Sequence, residues 1–292
     1  SNAIAGVLKE NLNINPLITG IILSIIAGVV IVGGITSISK VTEKLVPFMS
    51  ILYIGGCISI LVLNYSNILP AFKAIFLGAI SPKSLGGGFA GLSIKSVVSS
   101  GVARGVFTNE AGLGSSPIAH ASAKTDHPIR QGLWGIAEVF VDTIIICTMT
   151  ALVILTTGAN TRANVDASAL VSHAFASGSS LGPMIVTIGL SLFALSTILG
   201  WAYYGEVSIG FLFGKKALIP YRIAYVIFVF LGANMDLGLA WTVANILNGL
   251  MAIPNLIALV ALSPVLVKLS KDFFKDPERI RKSSEEYKSH LK

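Results

Sequence analysis

The sequence is poor in charge. Asp, Glu, Lys and Arg make up 12 % of its 292 residues, against about a quarter in an ordinary soluble domain. Too few polar side chains remain to cover a globular surface of this size, which excludes a soluble one- or two-domain protein. Cysteine is nearly absent. Cys57 and Cys147 lie in separate apolar runs without CxxC spacing, which excludes a disulfide framework and a thiolate metal site. Also lacking are a Walker loop, a zincin motif, a GxSxG elbow and a nucleotide fingerprint, so the sequence offers no catalytic constellation. The net charge of +7 does not point to nucleic acid, because the basic residues sit in short loops and a tail between apolar blocks. That is the pattern of a membrane protein with positive cytoplasmic loops.

What is abundant is apolar surface: 53 % of residues are hydrophobic, and the mean hydropathy is +0.80. A membrane-spanning helix needs about 20 mostly apolar residues. Charge-free stretches cover residues 11–39, 45–72, 181–205 and 237–267. Zones at 96–122 and 131–157 each carry two charged residues, and 223–235 is a shorter apolar segment. These predict seven crossings, although 237–267 is too long for one straight span. Lys40 and Lys44, then Lys124, His127 and Arg130, then Lys215, Lys216 and Arg222 mark three alternate loops as cytoplasmic. The opposite loops hold Lys73, Lys83 and Lys95, then only Arg162 beside Asp166. The tail from Lys268 holds eight basic and five acidic residues, and its stretch 272–292 reads as a solvated helix. Residues 271–292 are taken as a cytoplasmic tail and 15–270 as the transmembrane domain. The opening Ser1-Asn2-Ala3, without Met, reads as the scar of a cleaved tag.

The third span carries the strongest break signals. Glycines cluster at Gly86-Gly87-Gly88 and Gly91, then at Gly101, Gly105, Gly112 and Gly114, around Phe107-Thr108-Asn109-Glu110. Glycine favours helix breaks, and Thr and Asn side chains compete for backbone partners. An interrupted helix in hydrocarbon is tolerated where it lines a cavity or meets a solute, as in the midplane sites of secondary transporters. Small residues that merely let helices pack closely are the other reading. An acid at Glu110, at membrane depth, favours function. The fifth span supplies Phe193, Ser196, Thr197 and Trp201, with Thr197 and Trp201 four apart on one helical face. Its hydroxyls and a main-chain carbonyl suit a hard monovalent cation, or the hydroxyls bond back to their own helix. Glu138 and Asp142 read as an interhelical contact or gate element, and His120 as a bonded packing residue.

Three motifs in order carry a family resemblance. The run Gly105-Val106-Phe107-Thr108-Asn109-Glu110-Ala111-Gly112-Leu113-Gly114-Ser115-Ser116-Pro117 resembles the alanine or glycine:cation symporter family. So do Lys44-Leu45-Val46-Pro47-Phe48-Met49 and Ala194-Leu195-Ser196-Thr197-Ile198-Leu199-Gly200-Trp201. The resemblance runs from about residue 15 to about 275. It implies an all-α, polytopic membrane protein of the leucine-transporter type, with two inverted five-helix repeats and one broken helix. It further implies that this chain is a C-terminal portion holding core helices four to ten, without the N-terminal helices that supply the rest of each site. Substrate contacts would come from Phe107, Thr108 and Asn109, with Thr197 and Trp201 on the facing helix. Phe193 through its carbonyl, Ser196 and Thr197 would supply oxygens to sodium. The implied function is sodium-coupled symport of alanine or glycine across a prokaryotic plasma membrane, with the lipid bilayer as partner and no nucleic acid. An ion channel would show a repeated filter loop and a membrane-embedded enzyme a paired acid, histidine or metal cluster; neither is seen in the sequence.

Overall fold

The computed structural model describes residues 1–80, 94–161 and 167–286, and among these all regular structure is helical. The Gly86–Gly91 cluster, Lys83, Arg162 and Asp166 lie outside the described residues. In chain order the helices are α1 (Asn2–Leu12), α2 (Pro16–Val32), α3 (Gly34–Leu63), α4 (Ile68–Ile80), α5 (Ile94–Asn109), α6 (Ser116–His120) and α7 (Pro128–Val139). They continue with α8 (Cys147–Thr156), α9 (Ala167–Gly178), α10 (Gly182–Phe213), α11 (Leu218–Asn234), α12 (Leu237–Phe274) and α13 (Pro277–Arg281). A wider π-helical stretch, Phe140–Ile146, joins α7 to α8 into one rod.

Five of these rods are long and apolar enough to cross a membrane: Gly34–Leu63, Pro128–Thr156, Gly182–Phe213, Lys215–Asn234 and Leu237–Phe274. Pro16–Val32 is apolar but shorter. Exposure follows the same logic. Leu250, Ile257, Val260 and Leu262 of α12 are each more than half exposed; an apolar surface of that extent needs lipid or another protein as its solvent. The chain is a multi-pass membrane protein.

Several boundaries differ from the sequence expectations. The first span ends at Gly33, and α3 starts at once, because Gly34 takes a left-handed turn (φ 65°) that glycine adopts without strain. Lys40 and Lys44 therefore lie within α3, not in a loop. Arg222 likewise lies inside α11, where an ion pair holds it. The stretch 237–267 belongs to a single helix of 38 residues, which continues through Pro254 and Pro264.

The chain divides into two compact units. One comprises residues 1–94 and 146–241, the other 95–145 and 242–292. The first is held mainly by apolar packing. Leu23, Ala27 and Ile31 of α2, Ile198, Leu199 and Ala202 of α10, and Val229 of α11 form one cluster. Tyr53, Cys57 and Ile60 of α3, Val153 of α8, Phe175 of α9 and Val186 of α10 form another. Gly205 lets α10 and α11 approach closely, since a methyl there would overlap the Tyr221 hydroxyl. The same two helices share a fork–fork ion pair. Arg222 Nε and Nη2 donate to Glu206 Oε2 and Oε1 at 2.9 and 2.6 Å. Its Nη1 caps the Val32 carbonyl at the end of α2 at 3.0 Å.

The second unit relies on polar contacts. His120 of α6 receives a bond from Gln131 Nε2 at Nδ1 (2.7 Å) and meets Glu138 Oε2 through Nε2 (2.9 Å). Glu138 thus makes an interhelical contact, one of the two readings open for it and Asp142. Most described residues of the tail are exposed, as a solvated segment would be, but it is anchored at Phe273, Arg279 and Lys282. Arg130 donates to Asp126 Oδ1 at 2.6 Å, to the Lys282 carbonyl at 2.8 Å and to the Arg279 carbonyl. Its guanidinium lies 5.6 Å over the Phe273 ring, which also packs on His127 and is 1 % exposed. An aromatic at position 273 has apolar surface to bury, and that overrides the surrounding charge. Burial pushes the Asp126 carboxyl up, but hydrogen bonds from Arg130 and its positive charge outweigh that and hold it below its ordinary value.

Candidate functional site

In the second unit the break falls where the glycines and Asn109-Glu110 place it. Helix α5 ends at Asn109, and helix resumes at Ser116 in α6. Glu110 reverses the chain in the left-handed region at φ 56°, rare for a residue with a β-carbon. Leu113 and Gly114 amides then donate to the Glu110 carbonyl at 3.1 and 3.2 Å. The Glu110 carboxylate accepts from the fully buried Ser115 hydroxyl at 3.1 Å. Asn109 works locally: its Nδ2 donates to the Gly105 carbonyl at 2.7 Å and its Oδ1 accepts from the Ala111 amide at 3.2 Å. Phe107 is half-buried and Thr108 exposed on the last turn of α5.

Asn255 of α12 was not singled out by the sequence reading. Its Nδ2 donates to the Ala111 and Gly112 carbonyls at 3.1 and 3.0 Å. The available signal was an amide within a charge-free membrane span, directly after Pro254.

In the first unit, α10 runs unbroken through the other predicted residues. Ser196 Oγ and Thr197 Oγ1 both donate to the Phe193 carbonyl, at 2.8 and 3.0 Å. Three oxygens are thereby gathered within one turn. Each hydroxyl oxygen keeps lone pairs that its own bond does not use. Ser196 also lies 3.8 Å from the Met49 sulfur of α3, while Thr197 is exposed. Trp201, one turn on, packs edge-on against Tyr204 with centroids 5.8 Å apart. So Phe193, Ser196, Thr197 and Trp201 share one element of one unit, and Phe107, Thr108 and Asn109 share one element of the other. Among the described residues, no group of three or more His, Cys, Asp or Glu is placed to hold a metal.

The model of the sodium:alanine symporter family matches residues 1–288. The chain is 46 % identical over 276 residues to the sodium/alanine symporter AgcS of Methanococcus maripaludis, covering 94 % of this chain and 60 % of that protein. It is 44 % identical over 275 residues to an uncharacterized transporter of Haemophilus influenzae, with 94 % and 60 % covered. A probable sodium/glutamine symporter of Bacillus subtilis is 34 % identical over 275 residues, with 94 % and 57 % covered. The chain spans about 60 % of the length of the first two relatives. A match over nearly every residue, joined to a helix break at the motif that suggested it, leads to one statement: this chain belongs to the sodium:alanine symporter family.

Proposed function

We propose that this chain is the C-terminal portion of a secondary transporter that carries small neutral amino acids, alanine or glycine, into a prokaryotic cell together with sodium. The observation that carries the reading is the interruption of α5 at Glu110, in a chain of this family. A helix that stops and turns in a chain of this family suits a solute site, as interrupted helices do in secondary transporters. Phe107, Thr108 and Asn109 are assigned to substrate contact in one unit; Thr197 and Trp201 carry the same assignment in the other. Phe193 through its carbonyl, Ser196 and Thr197 through their hydroxyls, give oxygen ligands to sodium, which travels as cargo. Oxygen donors without a fixed charge suit an ion that must be released each cycle. The relative named a sodium/alanine symporter, at 46 % identity, agrees with alanine as substrate.

Uptake of labelled alanine by cells or vesicles containing the full-length parent tests the reading. Uptake should need an inward sodium gradient, and unlabelled alanine or glycine should compete. Equal uptake in sodium-free buffer, or uptake driven by a proton gradient alone, would overturn the coupling.

A further inference from the structure

Asparagines in and beside the helices of this chain either bond back along their own helix or, like Asn2 and Asn11 of α1, reach a distant element. Asn64, Asn109 and Asn234 each donate the side-chain amide to the carbonyl four residues back, at 2.9, 2.7 and 3.0 Å. That is the ordinary local bond for a short polar side chain in a helix. Asn255 instead donates out of α12, to the consecutive carbonyls of Ala111 and Gly112 at 3.1 and 3.0 Å. Its Nδ2 carries two protons, one for each oxygen. Both carbonyls belong to the turn that interrupts α5, and all three residues lie in the same compact unit. Contact on the other side is equally close. Gly114 adopts φ 81°, and a β-carbon there would come within 2.8 Å of Asn255 Oδ1. A carbonyl left without its helical partner is costly unless another donor meets it, and Asn255 is the donor that meets these two.

We propose that Asn255 is a positioning residue for the broken helix. Its carboxamide holds the Glu110–Gly114 turn in one geometry and so fixes the Phe107–Asn109 edge of the substrate contacts. The contact with the turn stands by itself; the consequence for substrate rests on the transport reading above.

The test uses the full-length parent with Asn255→Leu, which keeps the branched shape and heavy-atom count of the side chain and removes the donor. Hydrogen exchange, read by mass spectrometry, needs no transport. The Leu113 and Gly114 amides, which bond to the Glu110 carbonyl within that turn, should exchange about tenfold faster once two hydrogen bonds are lost. A rise of threefold or more confined to this turn supports the proposal. A smaller rise, or one spread along α12, overturns it. If Asn255→Leu does not survive purification, Asn255→Ser, too short to reach both carbonyls, takes its place under the same criteria. In transport, the alanine KM should rise fivefold or more while the maximal rate falls less, and Asn255→Gln should recover part of the KM. A loss in maximal rate with unchanged KM would overturn the link to the substrate edge. If the wild type shows no sodium-driven uptake, the transport reading falls while the exchange result still judges Asn255.

Discussion

The two elements carrying the candidate site residues solve the same problem in opposite ways. In α5 the backbone opens: Glu110 turns left-handed, the helix stops at Asn109, and carbonyls at 111 and 112 receive bonds from another helix. In α10 the backbone stays closed, and two side-chain oxygens gather around one carbonyl without interrupting the ladder. Under the proposed reading the opened turn serves the amino acid, by fixing the edge formed by Phe107, Thr108 and Asn109. Under the same reading the intact helix serves the cation, which needs only oxygens. The surroundings differ to match. Apolar clusters and a glycine-mediated close approach dominate the packing of the unit holding α10. A network of side-chain bonds dominates the unit holding α5.

The largest expected effect would break this contrast on the α10 side. Arg222→Ala leaves Glu206, 14 % exposed at its side chain, without its fork-shaped partner, and leaves the Val32 carbonyl uncapped. Removing one partner of a buried pair costs about 3–5 kcal/mol, and partial exposure here brings the expectation to about 2–3. The melting temperature of the purified full-length parent should drop by several degrees. The double change Glu206→Leu with Arg222→Met should recover most of that loss. A single variant as stable as wild type would show that close packing alone holds the α10 unit.

A change of similar or smaller size targets the opened turn. Gly114→Ala puts a methyl 2.8 Å from Asn255 Oδ1 at φ 81°, where L-residues are strained. The expected penalty is about 1–3 kcal/mol, visible as a lowered melting temperature together with reduced alanine affinity. Full activity would mean that the turn is free to relax. Trp201→Ala sharpens the contrast by selectivity: deleting the ring should admit side chains larger than that of alanine, read by competition assays. An unchanged competitor series would remove Trp201 from the substrate contacts.

The smallest effect concerns the docked tail. Asp126 is held below its ordinary value of 3.8, so its unfolded form binds protons at a higher pH than its folded form. Its contribution is complete above about pH 4 and fades as pH falls through the lower folded value. The share of tail docking that runs through Asp126 and Arg130 should therefore be flat from pH 5 to 8. Arg130→Ala should speed trypsin cleavage after Arg279 and Arg281 at every pH. Equal cleavage in both proteins would contradict docking through Arg130.

Much of the fold was legible because lipid imposes a simple rule. Long uncharged runs must be helices, and the runs behind α3, α10 and α12 were visible directly. Their ends were less legible. Lys40, Lys44 and Arg222 look like loop charges in a sequence, yet long basic side chains can leave a helix and reach water or a carboxylate. The break at Glu110 was legible from glycine spacing around an acid. Its latch, Asn255, was not, because a contact between residues 144 apart leaves no local pattern. Phe273 was hidden by its charged neighbours for a related reason: burial is decided by what packs on a side chain, not by what flanks it.

The central claim is that the hydroxyls gathered on α10 hold the coupling ion. A sodium titration of alanine uptake by the full-length parent, wild type against Thr197→Ala, tests it most directly. Removing one oxygen should weaken apparent sodium affinity, and alanine affinity should fall with it, because coupled sites share their free energy reciprocally. The expected shift is about 5–150-fold, the range for a coupling of about 1–3 kcal/mol. An unchanged sodium titration at normal expression would contradict the claim and leave Thr197 as a hydroxyl that only bonds the Phe193 carbonyl of its own helix.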